Sequence, residues 1–252
     1  MLRTVVADAI RTAARRLEKR NARRLALVAN FVDRPIDCSD HVTNHLRYAI
    51  AGMLHPGNLH CFDWAIRHRP SDAPMLEIGS FCGLSTNVLV YYLCRLRSPQ
   101  RLFTCDPWTF ERAMRGDAPV SRADYAGFVK RSFVHGIETF SRARRPHSVE
   151  ATSDAFFASW AARETIEDLF GRAVQLGGPL AFVYVDGNHD REHVLRDWQH
   201  ADRFLEPGGF LLFDDSWDGA GWGACTVMPD VLASGRYELV CRNPNYFFRK
   251  CG

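Results

Sequence analysis

The chain has 252 residues, of which 46% are hydrophobic and 24% charged, a composition that suits one α/β domain with a sizeable core. Its net charge of +3 is uneven, because residues 1–24 carry +6 and the remainder therefore about −3. A main body without a basic excess argues against nucleic-acid-binding proteins. No apolar run reaches the ~18–20 residues of a membrane span, charged residues interrupt any secretory signal, and the eight cysteines contain no Cys-x-x-Cys pair. We therefore expect a cytoplasmic protein with reduced, buried thiols.

The N-terminal segment differs in character from the rest of the chain. Apolar residues at helical spacing predict an amphipathic helix over residues 2–31, with an arginine-rich opposite face. Such a helix packs on the body or on a second subunit, which would give a homo-oligomer; alternatively it lies on a membrane surface. A turn over 33–40 follows, so we treat residues 1–45 as a basic helix with its linker and residues 46–252 as the main domain.

Predicted strands and helices alternate along the main domain. We expect helices over 40–53, 58–69, 83–96, within 109–145, 153–175 and 190–204. We expect strands over 74–78, 101–105, 147–150, 180–185 and 209–214, and a terminal hairpin over 237–242 and 246–250. This order predicts an α/β fold with a doubly wound, mostly parallel seven-stranded sheet, one antiparallel strand from the hairpin and extra N-terminal helices.

A glycine turn follows the first predicted strand. It reads Glu77-Ile78-Gly79-Ser80-Phe81-Cys82-Gly83 and opens a helix, so that glycines permit close approach of a ligand and the helix N-terminus adds N–H donors. The spacing is Gly-x-x-x-Gly, which does not meet the dinucleotide fingerprint. The next strand ends at Asp106, where a carboxylate can accept both ribose hydroxyls of a nucleoside. Together these features predict a nucleoside cofactor.

Two later strands stop abruptly at acids. Asp186 follows one of them, and Asp214 and Asp215 follow the other. Neighbouring parallel strands lie about 4.8 Å apart, so adjacent strands would bring three carboxylates to one edge, with His189 beside them. Hard oxygen donors suit Mg²⁺, and a titratable imidazole suits proton removal. Alternatively, Asp186 to His189 is only a turn and Asp214 only a cap.

The segment from Leu76 to Ser85 resembles motif I of the class I S-adenosylmethionine-dependent methyltransferases. Asp-x-x-His with a later Asp-Asp is similar to the metal-dependent O-methyltransferases, such as catechol O-methyltransferase and the Mg²⁺-dependent sugar O-methyltransferases of antibiotic pathways. The resemblance covers about residues 50–250 and implies a Rossmann-like methyltransferase domain over 46–252. It implies S-adenosyl-L-methionine and Mg²⁺ or Mn²⁺ as cofactors, His189 as catalytic base, and metal ligands at Asp186, Asp214 and Asp215. Cofactor contacts are implied at Glu77, Gly79, Ser80, Phe81, Gly83, Ser85, Asp106, Pro107, Trp108, Ser153, Asp154 and Asp186.

The acceptor is then expected to be a small molecule with a hydroxyl group: a sugar, a diol or a phenolic natural product. Asp215 stands where catechol-type enzymes often have asparagine, which moves the likeness towards the sugar-modifying group. Candidate substrate residues are His55, Trp217 and Trp222, of which both tryptophans alternatively serve in packing. Trp108 and Phe110 are expected either to lie beside the adenine or to pack in the core.

Two other interpretations remain open. One is a metal-independent methyltransferase acting on a small molecule. The other is a non-catalytic nucleoside-binding module, anchored to a membrane or a partner through the basic N-terminal helix. In the helix after His189, we expect the polar side chains to be solvated, namely Glu192, Asp197 and His200.

Overall fold

A single twisted sheet organises the protein. The computed structural model describes residues 36–109 and 120–252, so the predicted helix over 2–31 and Phe110 lie outside the described residues. Seven strands pair in the order β3-β2-β1-β6-β7-β9-β8. Their bounds are β1 Met75–Ile78, β2 Leu102–Cys105, β3 His147–Val149, β6 Leu180–Val185, β7 Leu205–Phe213, β8 Tyr237–Arg242 and β9 Tyr246–Lys250. Pairing is parallel from β3 through β7, and β9 runs antiparallel to both β7 and β8. The predicted sheet and its antiparallel hairpin strand are therefore confirmed.

Helices cover both faces of this sheet. In the described part of the chain they are α1 His41–Ala49, α2 Pro56–Arg67, α3 Leu84–Arg95, α4 Arg122–Phe140, α5 Ser153–Ala162, α6 Arg191–Phe204 and α7 Gly223–Ala233. Successive side chains of a strand point to opposite faces. In β6, Phe182 and Tyr184 accordingly join the core under α1 to α4, whereas Val183 and Val185 join the core under α5 to α7. Burial on both faces explains why every residue of β6 is apolar except Tyr184, which carries a hydroxyl group.

The beginning of the described chain is tied to the main body. Asp40 caps α1, accepting from the backbone N of Val42 and Thr43, and its other carboxylate oxygen accepts from Tyr91 and Arg95 of α3. These contacts hold α1 on α3, so α1 packs against the main body.

One predicted element is wrong. Helices are expected throughout 153–175, but helical structure there ends at Ala162, and an antiparallel pair follows, with β4 over Thr165–Glu167 and β5 over Ala173–Gln175. The helix is ended by Arg163, whose backbone is left-handed with a φ of +54°. Asp168 closes the turn between β4 and β5, because its carboxylate accepts from the backbone N of Phe170 and Arg172. The Arg172 guanidinium also binds this carboxylate, at 2.7 Å. A buried carboxylate with these donors outweighs helical propensity over such a short segment.

The thiols meet the expectation of burial only in part, and α7, over Gly223–Ala233, is a helix that the sequence analysis does not predict. All eight cysteines fall in the described ranges and none is paired; Cys61, Cys82, Cys105 and Cys241 are buried, whereas Cys94 is exposed. Within residues 36–109 and 120–252, the model holds no helix with the length and apolarity that crossing a membrane requires.

Candidate active site

The glycine turn after β1 packs directly on the segment that follows β6. Gly79 has a φ of +84°, and a Cβ at this position would lie 2.0 Å from the backbone oxygen of Asp186. Its backbone N donates to Cys105 O at 2.9 Å, which continues the β1–β2 ladder into the turn. Only glycine tolerates this approach together with a left-handed conformation. The turn therefore brings the predicted cofactor site and the predicted acidic site to the same edge of the sheet.

Asp106 organises this turn from the neighbouring strand end. One carboxylate oxygen accepts from the backbone N of Ser80 at 2.8 Å and of Phe81 at 3.0 Å, and the other accepts from Trp108 N at 2.7 Å. Burial raises the pKa of Asp106, and these three N–H donors oppose that rise. The oxygen that holds only Trp108 retains the greater capacity for a ligand hydroxyl.

Glu77 lies beneath the turn and has no exposed surface. One of its oxygens accepts from the Thr86 hydroxyl in the first turn of α3, and the other has no hydrogen-bond partner among the described residues. Burial raises the pKa of this carboxyl to about 7, with the nearby hydroxyls of Ser85 and Thr86 opposing the rise. Glu77 thus fastens the start of α3 to β1, which shapes the turn from below.

The sequence leaves open whether Trp108 lies beside the adenine or packs in the core, and the structure places it in the core. Its side chain is 3% exposed, lies 5.1 Å from the Phe133 ring centroid, and donates from Nε1 to Phe81 O at 3.0 Å. It supports the back of the glycine turn. Pro107, beside it, is half-buried.

The two acid-terminated strands are neighbours, as predicted. Val185 of β6 pairs with Phe213 of β7, and Asp214 N donates to Val185 O at 2.9 Å. Asp186 and Asp214 therefore leave the sheet side by side. Burial and the negative charges of Asp214 and Glu77 raise the pKa of Asp186 well above its usual range. Burial and Asp214 likewise raise the pKa of Asp215, and His189 lowers it.

Two buried asparagines hold Asp214 in place, and sequence reasoning missed both. Oδ1 of Asp214 accepts from Asn58 Nδ2 and from Asn245 Nδ2, each at 2.6 Å. Asn58 also donates to the Tyr184 hydroxyl at 3.2 Å, which in turn donates to Asp186 Oδ2 at 3.0 Å. One hydrogen-bonded chain thus connects α2, the terminal hairpin and both strand-end acids, and it fixes the orientation of the carboxylates.

Of the two asparagines that bind Asp214, only Asn58 could have been recognised from the sequence. Asn58, Phe62 and Ile66 are four residues apart and so share one helical face, and a polar residue on an otherwise apolar face is a recognisable signal. Asn245 carried no such signal, because between two predicted strands it is typical of an ordinary turn residue.

His189 lies where the sequence predicted it, between the acids. Its Nε2 is 3.8 Å from Asp186 Oδ1 and 3.7 Å from Asp215 Oδ2. The ring centroid is 5.6 Å from that of Trp222, whose side chain is 51% exposed. The start of α7 is held here because Ala224 N donates to His189 O at 3.1 Å. An imidazole with two carboxylates and an exposed aromatic face is thereby assembled at the edge of the sheet.

The remaining predicted substrate residues differ in how the structure places them. His55 caps α2, accepting from Gly57 N at 3.0 Å; burial lowers its pKa, and the nearby charge of Asp214 opposes this. It therefore lies close to the acidic edge. Gly52, three residues earlier, approaches Leu84 so closely that a Cβ would lie 2.6 Å from the Leu84 Cβ, so this segment covers the start of α3. Trp217 is half-buried, in the loop between β7 and α7.

The loop after β3 presents Ser153 and Asp154 at the start of α5. Asp154 is exposed and turned towards α6, where its carboxylate binds His200 Nε2 at 2.8 Å and lies 3.5 Å from Arg196 Nε. Ser153 is half-buried.

Asp197 is not solvated, so the expectation for this residue is wrong. Its side chain belongs to the buried face of α6 and is only 3% exposed. Burial raises its pKa to about 6, although the nearby hydroxyl of Ser153 opposes the rise. Glu192 is exposed as expected, and His200 is partly covered by its contact with Asp154.

The acids suit a hard cation in their chemistry but do not form a ready-made cluster. The carboxylates repel one another, as the raised pKa values of Asp186 and Asp215 show. A divalent cation would relieve this repulsion. However, among residues 36–109 and 120–252 no group of three or more His, Cys, Asp or Glu side chains is arranged to hold a metal ion.

Comparison with solved structures finds the same fold in several methyltransferases. A methyltransferase from Podospora anserina, bound to SAH, matches with a TM-score of 0.56 and 13% identity, covering 92% of this chain and 96% of that one. An O-methyltransferase from Bacillus cereus in complex with SAH gives 0.52 and 15%, with 90% and 97% covered. CalS11, a TDP-rhamnose 3'-O-methyltransferase of calicheamicin biosynthesis, gives 0.51 and 16%, with 89% and 92% covered. At these identities the likeness concerns the fold.

The sequence comparison identifies the family. No curated protein matches the chain. A family model described as a methyltransferase domain matches residues 76–216, a range that includes the glycine turn, Asp106, both acidic strand ends and His189. This match covers more than half of the chain, and it agrees with the observed sheet order and with the structural neighbours. The chain therefore belongs to the methyltransferase-domain family.

Proposed function

We propose that this protein is an S-adenosylmethionine-dependent O-methyltransferase acting on a small hydroxylated molecule. The observation that carries the proposal is the position of His189, whose Nε2 lies within 4 Å of both Asp186 and Asp215, on the edge of the sheet that carries the glycine turn. A proton acceptor beside a cofactor turn is what transfer of a methyl group to an alcohol or phenol requires.

The cofactor would lie along the carboxyl ends of β1, β2 and β6. Gly79 allows its methionine part to approach the backbone, and the Asp106 oxygen that binds only Trp108 N would accept from a ribose hydroxyl. The adenine would then extend towards the loop with Ser153. Two of the structural neighbours named above contain SAH, which supports this placement.

In the reaction, His189 Nε2 takes the proton of the acceptor hydroxyl as its oxygen attacks the methyl carbon of the sulfonium. The carbon–sulfur bond breaks, and the neutral thioether leaves as S-adenosylhomocysteine. The positive charge that forms on the ring lies within 4 Å of the Asp186 and Asp215 carboxylates, and their attraction lowers the cost of the transfer.

We further propose that the strand-end acids bind a divalent cation, Mg²⁺ or Mn²⁺, when the acceptor is present. Asp186, Asp214 and Asp215 would hold it, and when bound it would lower the cost of ionising the acceptor hydroxyl. Support comes from the charge repulsion among these acids. The specific alternative is a metal-independent methyltransferase.

The acceptor class rests on the exposed ring of Trp222 beside His189, since a flat aromatic face suits a sugar or a phenolic ring. His55, near Asp214, and Trp217, in the loop before α7, remain candidate contacts of the acceptor. Cytoplasmic location, a homo-oligomer and the division of the chain at residue 45 stay predictions.

Thermal melting with S-adenosylhomocysteine, with Mg²⁺, with both and with a chelator tests the cofactor and the metal together. A ligand at 100 times its dissociation constant stabilises a fold by about 2.7 kcal/mol. We expect S-adenosylhomocysteine to raise the melting temperature, Mg²⁺ to increase that rise, and Asp186→Ala to abolish the increase due to Mg²⁺. A rise in melting temperature that is the same with Mg²⁺ and with chelator would support the metal-independent enzyme. No nucleoside shift would refute the methyltransferase proposal.

The base is tested with a panel of sugar, diol and phenolic acceptors, measuring the S-adenosylhomocysteine formed. His189→Gln should reduce turnover at least 100-fold and leave nucleoside binding nearly intact, because general-base catalysis contributes about 10²–10⁴. His68→Gln, which changes an exposed histidine at the end of α2, is the matched control. Full activity of His189→Gln would rule out its role as base.

A further inference from the structure

A cavity of about 270 Å³ lies at the opposite end of the sheet from the candidate active site. Its lining comes from the second half of α3 and from the chain that leads into β2 and β3. Leu102 begins β2 and Asp106 follows its last residue, so at about 3.3 Å per residue the two sites are roughly 13 Å apart along this strand. The cavity is therefore separate from the glycine turn and from the acidic edge.

Arginine supplies most of the charge around this cavity. Arg101, Arg144 and Arg145 line it, and within the described ranges no acidic side chain does so. Arg145 is bound by Glu138 at 2.6 Å, whereas Arg144 donates to two neutral backbone carbonyl groups. Three guanidinium groups and one carboxylate leave an excess of two positive charges. A cleft lined by charges of one sign concentrates ions of the opposite sign, so the cavity attracts anions.

Arg101 is the least engaged of the three arginines. Its side chain is exposed, and its guanidinium carbon lies 5.3 Å from the centroid of the Phe103 ring. This contact with the ring face holds the charge at the start of β2. Within residues 36–109 and 120–252, the guanidinium has neither an ion pair nor a hydrogen-bond acceptor. All five of its N–H donors are therefore available to a ligand.

His147 adds a polar group to the lining without adding charge. Its Nδ1 lies 3.0 Å from Oδ2 of Asp168, a carboxylate with no exposed surface that Arg172 also binds, at 2.7 Å. Burial lowers the pKa of His147, although Asp168 opposes this, so the imidazole is neutral at pH 7. Since Nδ1 donates to Asp168, Nε2 is left as an acceptor for a ligand hydroxyl. Arg172 balances the charge of Asp168, so the excess of two positive charges remains.

We propose that this cavity is a binding site for a small phosphate monoester. Such an ester carries about two negative charges at pH 7, which matches the excess of two positive charges. Arginine pairs with phosphate oxygens through parallel N–H donors, and the unengaged Arg101 offers such a fork. Buried apolar side chains of the lining, those of Val90, Leu93 and Leu102, contact the carbon part of the ester.

The size of the cavity limits the ligand. Pockets for drug-sized ligands usually measure ~300–1,000 Å³, so a volume of about 270 Å³ points to a molecule smaller than a nucleotide. This inference is independent of the proposed function, because none of the residues that line the cavity belongs to the candidate active site.

Isothermal titration calorimetry on the full chain, at constant ionic strength, tests the ligand class. The probes are ribose 5-phosphate, inorganic phosphate, ribose and succinate, of which succinate carries two negative charges without a phosphate group. Ribose 5-phosphate should bind at least tenfold more tightly than ribose or succinate. Equal affinities for ribose 5-phosphate and succinate would overturn the phosphate assignment, and failure of both phosphate probes to bind at millimolar concentration would overturn the site.

Competition with S-adenosylhomocysteine tests the location. The N-terminus of α3 at the glycine turn is a possible phosphate site by its backbone donors alone. Saturating S-adenosylhomocysteine should leave the affinity for ribose 5-phosphate unchanged, because the cavity lies at the other end of the sheet. Loss of ribose 5-phosphate binding under these conditions would place the phosphate at the glycine turn and overturn the inference.

Arg101→Gln tests the recognition itself. It should weaken binding of ribose 5-phosphate at least tenfold, because charge-assisted hydrogen bonds to the phosphate are lost. Arg203→Gln is the matched control, since Arg203 is also exposed, lies 5.1 Å from the centroid of the Phe204 ring and has no ion pair among the described residues, but belongs to α6. It should keep the affinity within about twofold. Unchanged binding in Arg101→Gln, or equal weakening in both variants, would overturn the inference.

Discussion

Gly79→Ala would place a methyl group into the contact between the glycine turn and the segment after β6. The new Cβ would lie 2.0 Å from the backbone oxygen of Asp186, at a residue whose φ is +84°. Ordinary van der Waals contact begins at 3.4 Å, so the two backbones must separate by about 1.4 Å. Moving either backbone segment is costly, because Asp186 N donates a hydrogen bond to Ile78 O and Gly79 N donates one to Cys105 O.

The magnitude follows from two separate costs. A left-handed conformation costs a non-glycine residue roughly 1–2 kcal/mol, and forcing a methyl group into a packed site costs typically about 1–3 kcal/mol. Gly79→Ala should therefore lower the free energy of unfolding by about 2–5 kcal/mol. Gly171→Ala isolates the first cost, because its φ is +73° and no described atom lies within 4 Å of its Cβ position.

Urea denaturation of both variants measures the stability, and calorimetric titration with S-adenosylhomocysteine measures the consequence for binding. Gly79→Ala should lose more stability than Gly171→Ala by about 1–3 kcal/mol, and it should weaken nucleoside binding at least tenfold, because the turn and the Asp186 segment are pushed apart. Equal losses in the two variants, or unchanged binding in Gly79→Ala, would refute the close-approach reasoning.

Asn245→Ala removes the hydrogen bond from Asn245 Nδ2 to Asp214 Oδ1, which is 2.6 Å long, so the free energy of unfolding measured by urea denaturation should fall by roughly 1.5–3 kcal/mol. The control Asn44→Ala, at an exposed residue, should lower it by no more than about 0.5 kcal/mol. Equal losses in the two variants would contradict a role of Asn245 in holding Asp214. Glu77→Gln should gain stability relative to the unsubstituted protein as pH rises. The folded carboxyl, with its pKa raised to about 7, is stabilising in its protonated form below its unfolded value of 4.5 and loses that contribution as pH rises through 7. The difference between the two proteins should change by roughly 2.5 kcal/mol between pH 5 and pH 8.5, and a pH-independent difference would show that Glu77 is not a buried titrating group.

The adjacency of the acidic strand ends could be predicted because two local properties coincide. Apolar runs that end in acids are visible in the sequence, and alternating strands and helices lead to parallel strands whose carboxyl ends share one edge. His189 follows from the same reasoning, since three residues after Asp186 it cannot be far from that edge. Both predictions depend on chain connectivity over short distances.

The residues that support this edge could not be predicted in the same way. Asn58 and Asn245 are 187 residues apart, and they meet at Asp214 only because β9 inserts beside β7 and brings the hairpin turn to α2. Gly57 permits this meeting, since a Cβ there would lie 1.6 Å from Asn243 O. Contacts of this kind are set by packing, for which local pattern carries no information.

The sequence by itself determined the sheet, its antiparallel strand, the glycine turn and the acids with their histidine, because each depends on periodicity or on spacing along a few residues. Tertiary structure alone decided that Asp197 is buried, that Asp154 is turned to α6, and that the chain after Ala162 forms a hairpin. In each of these cases a polar side chain lies either in water or against a partner that is distant in the sequence. Which of the two occurs depends on the groups that the fold brings near that side chain, and local sequence pattern does not specify them.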